Sequence, residues 1–346
     1  MGKRIEGCGL MDTICAFSSD SRELYKADIY RVLALPKEHI LHFRYKAKYV
    51  DDNLLQKPKT LKSQKVAIFF THGNSLNGTK NSFQHFSVRW ATITNTEISA
   101  ETNVFHVYMK LGDFCNVKID SGNSIEKNPP TKFFSKLNCT EINEESNWES
   151  RILAIKDFFP PITFFHLKGI RNSWRPITIH YRNSDRSCFY NLSHGDRYII
   201  QLAVSNPNAS DTKIEISDSS EEITINCINP FESSIQFDDH DIPISVKTLQ
   251  VLKQASLLNF KPTQKKNSTD GYEVLGEYST NIELNLKLSL TKPLIFGFFS
   301  TMAFWALLLA KPISSSAIWP SDCTLVFSTL LFYFASSSLF FWFNKK

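Results

Sequence analysis

Two uncharged, apolar segments close to the C-terminus constrain this chain more than any other feature. The first, 294–310, has 17 residues (LIFGFFSTMAFWALLLA), and the second, 323–343, has 21 (CTLVFSTLLFYFASSSLFFWF). As α-helices they would be about 26 Å and about 31 Å long, close to the thickness of a bilayer's hydrocarbon core. Because the segment between them is short, the two helices must return side by side. The sequence therefore predicts a transmembrane hairpin over residues 292–346.

The flanks of these runs carry residues that suit a membrane interface: Trp319, Trp342, Lys292, Lys345 and Lys346. Lys292 lies before the first run, and Lys345 and Lys346 follow the second. In the connecting loop, the charge of Lys311 is matched by that of Asp322. The positive-inside rule then predicts a two-pass protein of the inner (plasma) membrane with the N-terminus and the C-terminus cytoplasmic. The alternative is a pair of buried helices in a soluble core, which would usually keep a polar stripe.

Small and hydroxyl residues recur at helical spacing within the two runs. Neither run contains an ionisable side chain, which argues against a proton relay or a charge-lined pore within one hairpin. Spacings of three and four allow close helix packing through such residues. We predict packing through Gly297, Ser300 and Thr301 in the first run and Thr324 and Ser328 in the second. Packing within one hairpin and self-association of several copies both remain open.

The rest of the chain has a globular composition, with 42% hydrophobic and 21% charged residues, which excludes wholesale disorder. Its N-terminus, MGKRIEGCGLMD, has no apolar segment of the kind found in cleaved signals, so we expect the large domain in the cytosol. Residues 1–291 are almost balanced in charge, and charge alone does not indicate a polyanion partner. Seven scattered cysteines without a C-x-x-C pair favour reduced thiols over disulfides or zinc, and no metal or cofactor is indicated.

Alternation of apolar and polar residues predicts that the part before the hairpin is mainly β. Residues 29–35 and 39–45 are predicted to form a hairpin of strands, and 86–98 and 104–111 two further strands. The segment 149–158, stopped by two prolines, is the best helix candidate before the tail.

Later in the chain, short strands between turn clusters favour a small antiparallel sandwich. Residues 247–258 suggest a helix, 261–270 a loop or hinge, and 272–290 a final strand that runs into the membrane helices. The predicted organisation is a β-rich cytosolic domain (1–170), a cytosolic domain resembling an antiparallel β-sandwich (171–291), and the transmembrane hairpin (292–346).

One strand end carries a motif with enzymatic associations. The segment FFTHGNS, with His72 and Gly73, is similar to the strand-then-His-Gly turn of α/β-hydrolases. That family also needs a G-x-S-x-G elbow, which this sequence lacks, so a turn between two strands is the favoured interpretation. An enzyme would require a structure that brings His72 close to a nucleophile and a carboxylate.

A second candidate is a basic strand face beside aromatic residues. Alternation in HFRYKAKY predicts that Arg44, Lys46 and Lys48 share one face while Phe43 and Tyr45 share the other. Such a face can contact a phosphate or a single-stranded nucleic acid. It is also what a half-buried strand with its charges in water presents, and this interpretation is favoured.

A cytosolic recognition domain followed by a two-helix membrane hairpin resembles, in layout, the two-transmembrane effectors of bacterial anti-phage defence systems, including those paired with retrons or nucleotide-signalling sensors. The resemblance is carried by 294–310 and 323–343 and transfers no functional residue. It implies a non-enzymatic protein kept silent by a partner or awaiting a trigger, whose assembly then breaches the inner membrane. A membrane-tethered binding or scaffold module without pore activity is the alternative.

The partners implied by this layout are the lipid bilayer, further copies of the chain, and a regulatory protein or nucleic acid. No small-molecule substrate is evident in the sequence.

Overall fold

The computed structural model describes residues 11–73, 83–119, 132–142, 146–228, 230–232, 236–247, 255–265, 272–287, 291–310 and 329–335. Two of the predicted helix-packing residues, Thr324 and Ser328, lie outside these ranges.

The first part of the chain builds one large sheet with helices beside it. Its elements are β1 (Met11–Ser19), α1 (Glu23–Ala34), β2 (Ile40–Lys46), α2 (Asp52–Gln56), β3 (Lys65–His72), β4 (Gln84–Ser99), β5 (Val104–Phe114), β6 (Val117–Ile119), β7 (Phe134–Glu141) and α3 (Trp148–Ile155). The strand order is β2-β5-β4-β3-β1-β7-β6. The pair β1 and β3 is parallel, whereas the other neighbours are antiparallel.

The second part forms two smaller sheets. Its elements are β8 (Phe164–Arg171), β9 (Ile179–Arg182), β10 (Ser187–Ser193), β11 (Arg197–Ser205), β12 (Thr212–Asp218), β13 (Ile223–Ile225), β14 (Asp238–Val246), β15 (Ala255–Lys265), β16 (Tyr272–Val274), β17 (Thr280–Lys287) and α4 (Thr291–Ala310). One sheet has the order β12-β15-β17-β10-β9 with β16 added to β15, and the other β13-β14-β11-β8. Their apolar residues belong to the same buried cluster as those of α1 and the large sheet.

Helix α1 lies between the large sheet and the later strands and contacts both. The hydroxyl of Tyr30 donates to the carbonyl of Thr163 (2.7 Å), and Arg31 donates to the carbonyl of Glu277 (2.9 Å). At the start of the helix, the hydroxyl of Tyr278 donates to Glu23. Glu23 in the first turn and Arg31 in the last turn thus connect α1 to the segment that precedes β17, whereas Tyr30 connects it to the residue before β8.

The C-terminal end of α1 is satisfied by two side chains from other elements. Helix ends leave carbonyls without partners, and a cation there interacts favourably with the helix dipole. Arg89 of β4 is 1% exposed and donates to the carbonyls of Val32 (3.0 Å) and Leu35 (2.6 Å). His166 of β8 lies with Nδ1 3.0 Å from the carbonyl of Leu33. The end of this helix is therefore fixed by tertiary contacts.

The prediction of a mainly β protein with several antiparallel sheets is confirmed. The predicted strand over 29–35 is wrong, because these residues lie in or directly after helix α1. Tertiary packing explains the error. The helix is covered on several sides, with Ala27, Ile29, Tyr30, Val32, Leu33 and Ala34 all buried. A helix buried in this way loses the apolar stripe that identifies an amphipathic helix.

Two later predictions also need correction. Ala255 to Leu258, placed in a predicted helix, and 261–265, placed in a predicted loop, together belong to strand β15. Strand β15 pairs with β12 on one side, and on the other with β17 over its first half and β16 over its polar second half, so its polar residues lie inside a sheet. The predicted final strand over 272–290 contains β16, a 3₁₀ turn (Gly276–Tyr278) and β17.

The tail begins as helix α4, three residues after the end of β17. The hydroxyl of Thr301 donates to the carbonyl of Gly297 (2.8 Å) within this helix. Residues 329–335 are also helical, and the hydroxyl of Tyr333 donates to the carbonyl of Leu294 (3.3 Å). Within the part of the chain that the structure describes, no helix is both long enough and apolar enough to span a membrane. The transmembrane nature of 292–346 stays a prediction.

Candidate functional site

The parallel pair β1 and β3 brings an aspartate and a histidine together at the carboxyl ends of the two strands. Ser19 of β1 is the register partner of Thr71 of β3, so the next residues, Asp20 and His72, are neighbours. The backbone N–H of Asp20 also donates to the carbonyl of Thr71 (3.0 Å). Carboxyl ends of parallel strands are where α/β proteins commonly place ligands.

The two side chains form a close pair. His72 Nδ1 lies 2.6 Å from Asp20 Oδ2, and the N–H of Gly73 donates to the same oxygen at 3.3 Å. Because an ionised carboxylate only accepts hydrogen bonds, Nδ1 carries the proton. In the neutral ring, the lone pair then lies on Nε2, the nitrogen farther from Asp20.

The surroundings hold the histidine ring in place but leave it accessible. The ring of Phe158 stacks on that of His72, with centroids 4.1 Å apart and planes at 28°. The Asp20 side chain is 13% exposed, whereas that of His72 is 41% exposed. Gly73 has a φ of 124°, a conformation that favours glycine and that lets the chain turn away directly after the histidine.

Asp20 Oδ1, the second oxygen of this carboxylate, is buried without a hydrogen-bond partner among the described residues. Nε2 of His85 is also buried without one, but the His85 ring packs against Phe17 on the opposite face of the sheet from His72. The other ring nitrogen of His85 lies 3.0 Å from the hydroxyl of Thr71. Burial lowers the pKa of His85 to about 4, so its ring is neutral near pH 7. Buried polar atoms normally have partners, so the unpartnered Asp20 Oδ1 beside the partly exposed His72 favours a ligand or water site.

An aspartate that orients a histidine is the arrangement that provides the general base in Ser-His-Asp hydrolases, where a separate hydroxyl is the nucleophile. The structure thus supplies the carboxylate that the enzyme hypothesis required. Among the described residues, no hydroxyl or thiol hydrogen-bonds to Nε2 of His72. The hydroxyls of Ser19 and Ser21 lie 2.7 Å from each other, next to Asp20 in the chain.

From the sequence, His72 is a candidate catalytic residue and Asp20 is not, although the two lie in direct contact. They are 52 positions apart, and only the parallel pairing of β1 with β3 joins them. A sequence signal did exist, since each of the two residues follows a run of apolar residues.

The basic residues proposed for phosphate contact are distributed differently. Arg44 and Lys46 are exposed on one face of the edge strand β2. Lys48 lies beyond the strand in a 3₁₀ turn (Ala47–Tyr49), with its ammonium 4.9 Å from the centre of the Tyr49 ring. The strand alternation therefore applies to the first two residues and stops before the third.

Next to Arg44 and Lys46, the same sheet face carries a row of rings. His42 Nε2 lies 2.9 Å from His106 Nδ1, and the His42 ring stacks on that of Tyr108 at 4.4 Å. Arg186, from the turn between β9 and β10, lies over the Tyr108 ring (4.5 Å) and pairs with Glu97 (2.8 Å). These rings are therefore partly covered by a contact with the later strands.

The remaining candidates are cysteines and tail residues. Cys15 and Cys139 are buried with their sulfur atoms 3.6 Å apart, and burial raises the pKa of nearby Cys115 to about 12. No group of three metal-binding side chains occurs among the described residues. In α4, Gly297 is buried while Ser300 and Thr301 are partly exposed.

The sequence of this chain matches no protein-family model, and no curated protein matches it.

Proposed function

We propose that this protein is a membrane-anchored, non-enzymatic effector in which the β-rich body senses a ligand or partner and controls a transmembrane hairpin that disrupts the inner membrane in antiviral defence. The observation that carries the proposal is the pair of uncharged runs of 17 and 21 residues. Without a bilayer, such runs would expose a large apolar surface to water.

The contact between the two runs supports a hairpin arrangement. Tyr333, in the second run, donates to the carbonyl of Leu294, in the first. Gly297 lies one helical turn beyond Leu294 and is buried, whereas its neighbours Phe298 and Phe299 are 55% and 64% exposed. The exposed rings would face lipid or another copy, and the small residues would face the partner helix.

A series of contacts connects the sensing body to the tail. The Asp20–His72 pair precedes the first turn of α1, where Glu23 accepts the hydrogen bond from Tyr278. Tyr278 is followed by β17, which ends three residues before α4. A ligand that displaces the start of α1 would therefore act on the strand joined to the hairpin.

Expression of three forms in bacteria tests this proposal: the full chain, the chain without 292–346, and the chain with an unrelated two-helix anchor. We expect only the full chain to collapse the membrane potential and stop growth. The full chain and the form with the unrelated anchor should both remain in the membrane after alkaline carbonate, whereas the chain without 292–346 should not. Toxicity that survives removal of the hairpin would contradict the effector. Function retained with the unrelated anchor would favour a tethered binding or scaffold module.

A second candidate function, hydrolysis of an ester or amide, is favoured by one observation, the Asp20–His72 pair. His72 Nε2 would take a proton from water as its oxygen attacks the carbonyl, and would return that proton to the leaving group. Asp20 would stabilise the imidazolium formed in between.

Hydrolysis of fluorogenic esters and peptides by purified full-length protein tests this second candidate. We expect D20N and H72N each to lower the rate by about 10³–10⁴-fold, because the imidazole loses its orientation or the base itself. H180N, which changes an exposed histidine of β9, is the matched control. Equal rates for all variants, or no hydrolysis by the wild type, would refute the hydrolase.

A further inference from the structure

One exposed tryptophan lies at the tip of a hairpin loop whose backbone is held by hydrogen bonds. Trp174 is 92% exposed and lies in the loop 172–175 that follows β8. The side-chain oxygen of Asn172 accepts hydrogen bonds from the N–H groups of Trp174 (2.9 Å) and Arg175 (2.8 Å). The N–H of Asn172 in turn donates to the carbonyl of Arg175 (3.0 Å). The loop thus presents a large apolar side chain to the exterior from a backbone held by three hydrogen bonds.

The strand register places this loop at the end of the two smaller sheets from which the tail emerges. In one sheet, Ser193 of β10 pairs with Lys287, the last residue of β17. After three intervening residues β11 begins, and Arg171, the last residue of β8, pairs with Ile199 near that beginning. The loop after Arg171 therefore extends past the same end at which β17 stops.

Covalent geometry keeps this end close to the tail. From Lys287 to the first residue of α4, Thr291, there are only four residue steps. A fully extended chain covers at most about 14 Å in that distance. If α4 enters a bilayer, the end of β17 lies within about 14 Å of the first residue of α4, and the Trp174 loop extends from the same end of the sheets.

We infer that the Trp174 loop is a second membrane contact, in which the indole lies at the headgroup level and fixes the tilt of the β-rich body on the bilayer. This inference rests on the proposed membrane function. Tryptophan suits the position because its ring is apolar while its N–H needs a polar partner.

The net charge at this end of the sheets is too small to attract anionic lipid. Arg175, Arg197, Lys247 and Lys287 are exposed there, but so is Glu221, and Asp196 and Glu222 are partly exposed. The basic and acidic groups nearly cancel. We therefore expect the contact to form on neutral as well as anionic lipid, driven by the indole.

Fluorescence of the full-length protein inserted in phosphatidylcholine vesicles tests this inference. The difference in emission between the wild type and W174F isolates Trp174. We expect insertion to shift this emission to shorter wavelengths, brominated lipids to quench it, and aqueous iodide to lose most of its quenching. Addition of phosphatidylglycerol should change these results little.

The turn between β9 and β10 provides the control, because it lies at the end of their sheet opposite to the end of β17. Ser184 is exposed there, and S184W in the W174F background should remain open to iodide after insertion. Trp174 emission that iodide quenches as strongly as in S184W would overturn the inference while the membrane anchor stands. Protein that alkaline carbonate removes from the vesicles would refute the anchor itself, and the inference with it.

Discussion

Replacement of Arg89 by methionine should lower the free energy of unfolding by about 3–5 kcal/mol, because three buried carbonyls each lose a charged donor. Besides Val32 and Leu35 at the end of α1, the Arg89 guanidinium donates to the carbonyl of Gly112 (2.7 Å). Burial lowers the pKa of Arg89 to about 9, so the group is still charged near pH 7.

Urea denaturation of the full-length protein in detergent, followed by circular dichroism of the sheets, measures this loss. R89K should recover only part of it, since a single ammonium cannot donate in three fixed directions. R197M, which changes an exposed arginine at the start of β11, should stay within about 0.5 kcal/mol of the wild type. An R89M protein as stable as the wild type would show that the carbonyls find other partners.

Acidification from pH 6.5 to pH 5 should lower the free energy of unfolding by about 2–3 kcal/mol through three histidines. Burial is the main cause that lowers the pKa of His39 and His85 to about 4 and that of His166 to about 3. The cation of Arg89 also lowers the pKa of His39 and His166.

The sign follows from proton binding. Between about pH 6.5, where an unfolded histidine titrates, and pH 4, the unfolded chain binds protons that the folded one does not. Stability therefore falls as the pH falls through this window. A fully shifted group would contribute about 2 kcal/mol at pH 5, and the partial exposure of all three side chains reduces the sum to about half.

Urea midpoints measured at several pH values check this expectation. H166N can still donate to the carbonyl of Leu33 but does not titrate, so its stability should depend less on pH. H180N removes an exposed histidine and should follow the wild-type curve. A curve for H166N that is parallel to that of the wild type would assign the acid sensitivity to other groups.

Local patterns predicted those elements whose environment is simple. The strands β4 and β5 alternate in sequence and lie where the alternation predicts. Helix α3 ends in a 3₁₀ turn (Lys156–Phe158) before the two prolines that were expected to stop it. In each case the residues that determine the element are neighbours along the chain.

Other elements depend on contacts that the sequence does not display. Helix α1 is covered by two layers, and the segment 29–35, which covers its second part, carries one charged residue, Arg31, so that segment resembled a buried strand. The segment 261–265 is polar, yet it pairs on both sides as part of β15. Lys48 does not lie on the predicted basic face because β2 ends at Lys46 and a 3₁₀ turn follows it.

The sequence by itself determined the alternating strands and the two uncharged runs, because periodicity and the absence of charge are properties of consecutive residues. Only the tertiary structure decided that Asp20 lies against His72, that Arg89 completes the end of α1, and that the loop of Trp174 shares an end with β17. Each of these depends on strand register between distant segments, which is set by the packing of the whole sheet and not by its separate strands.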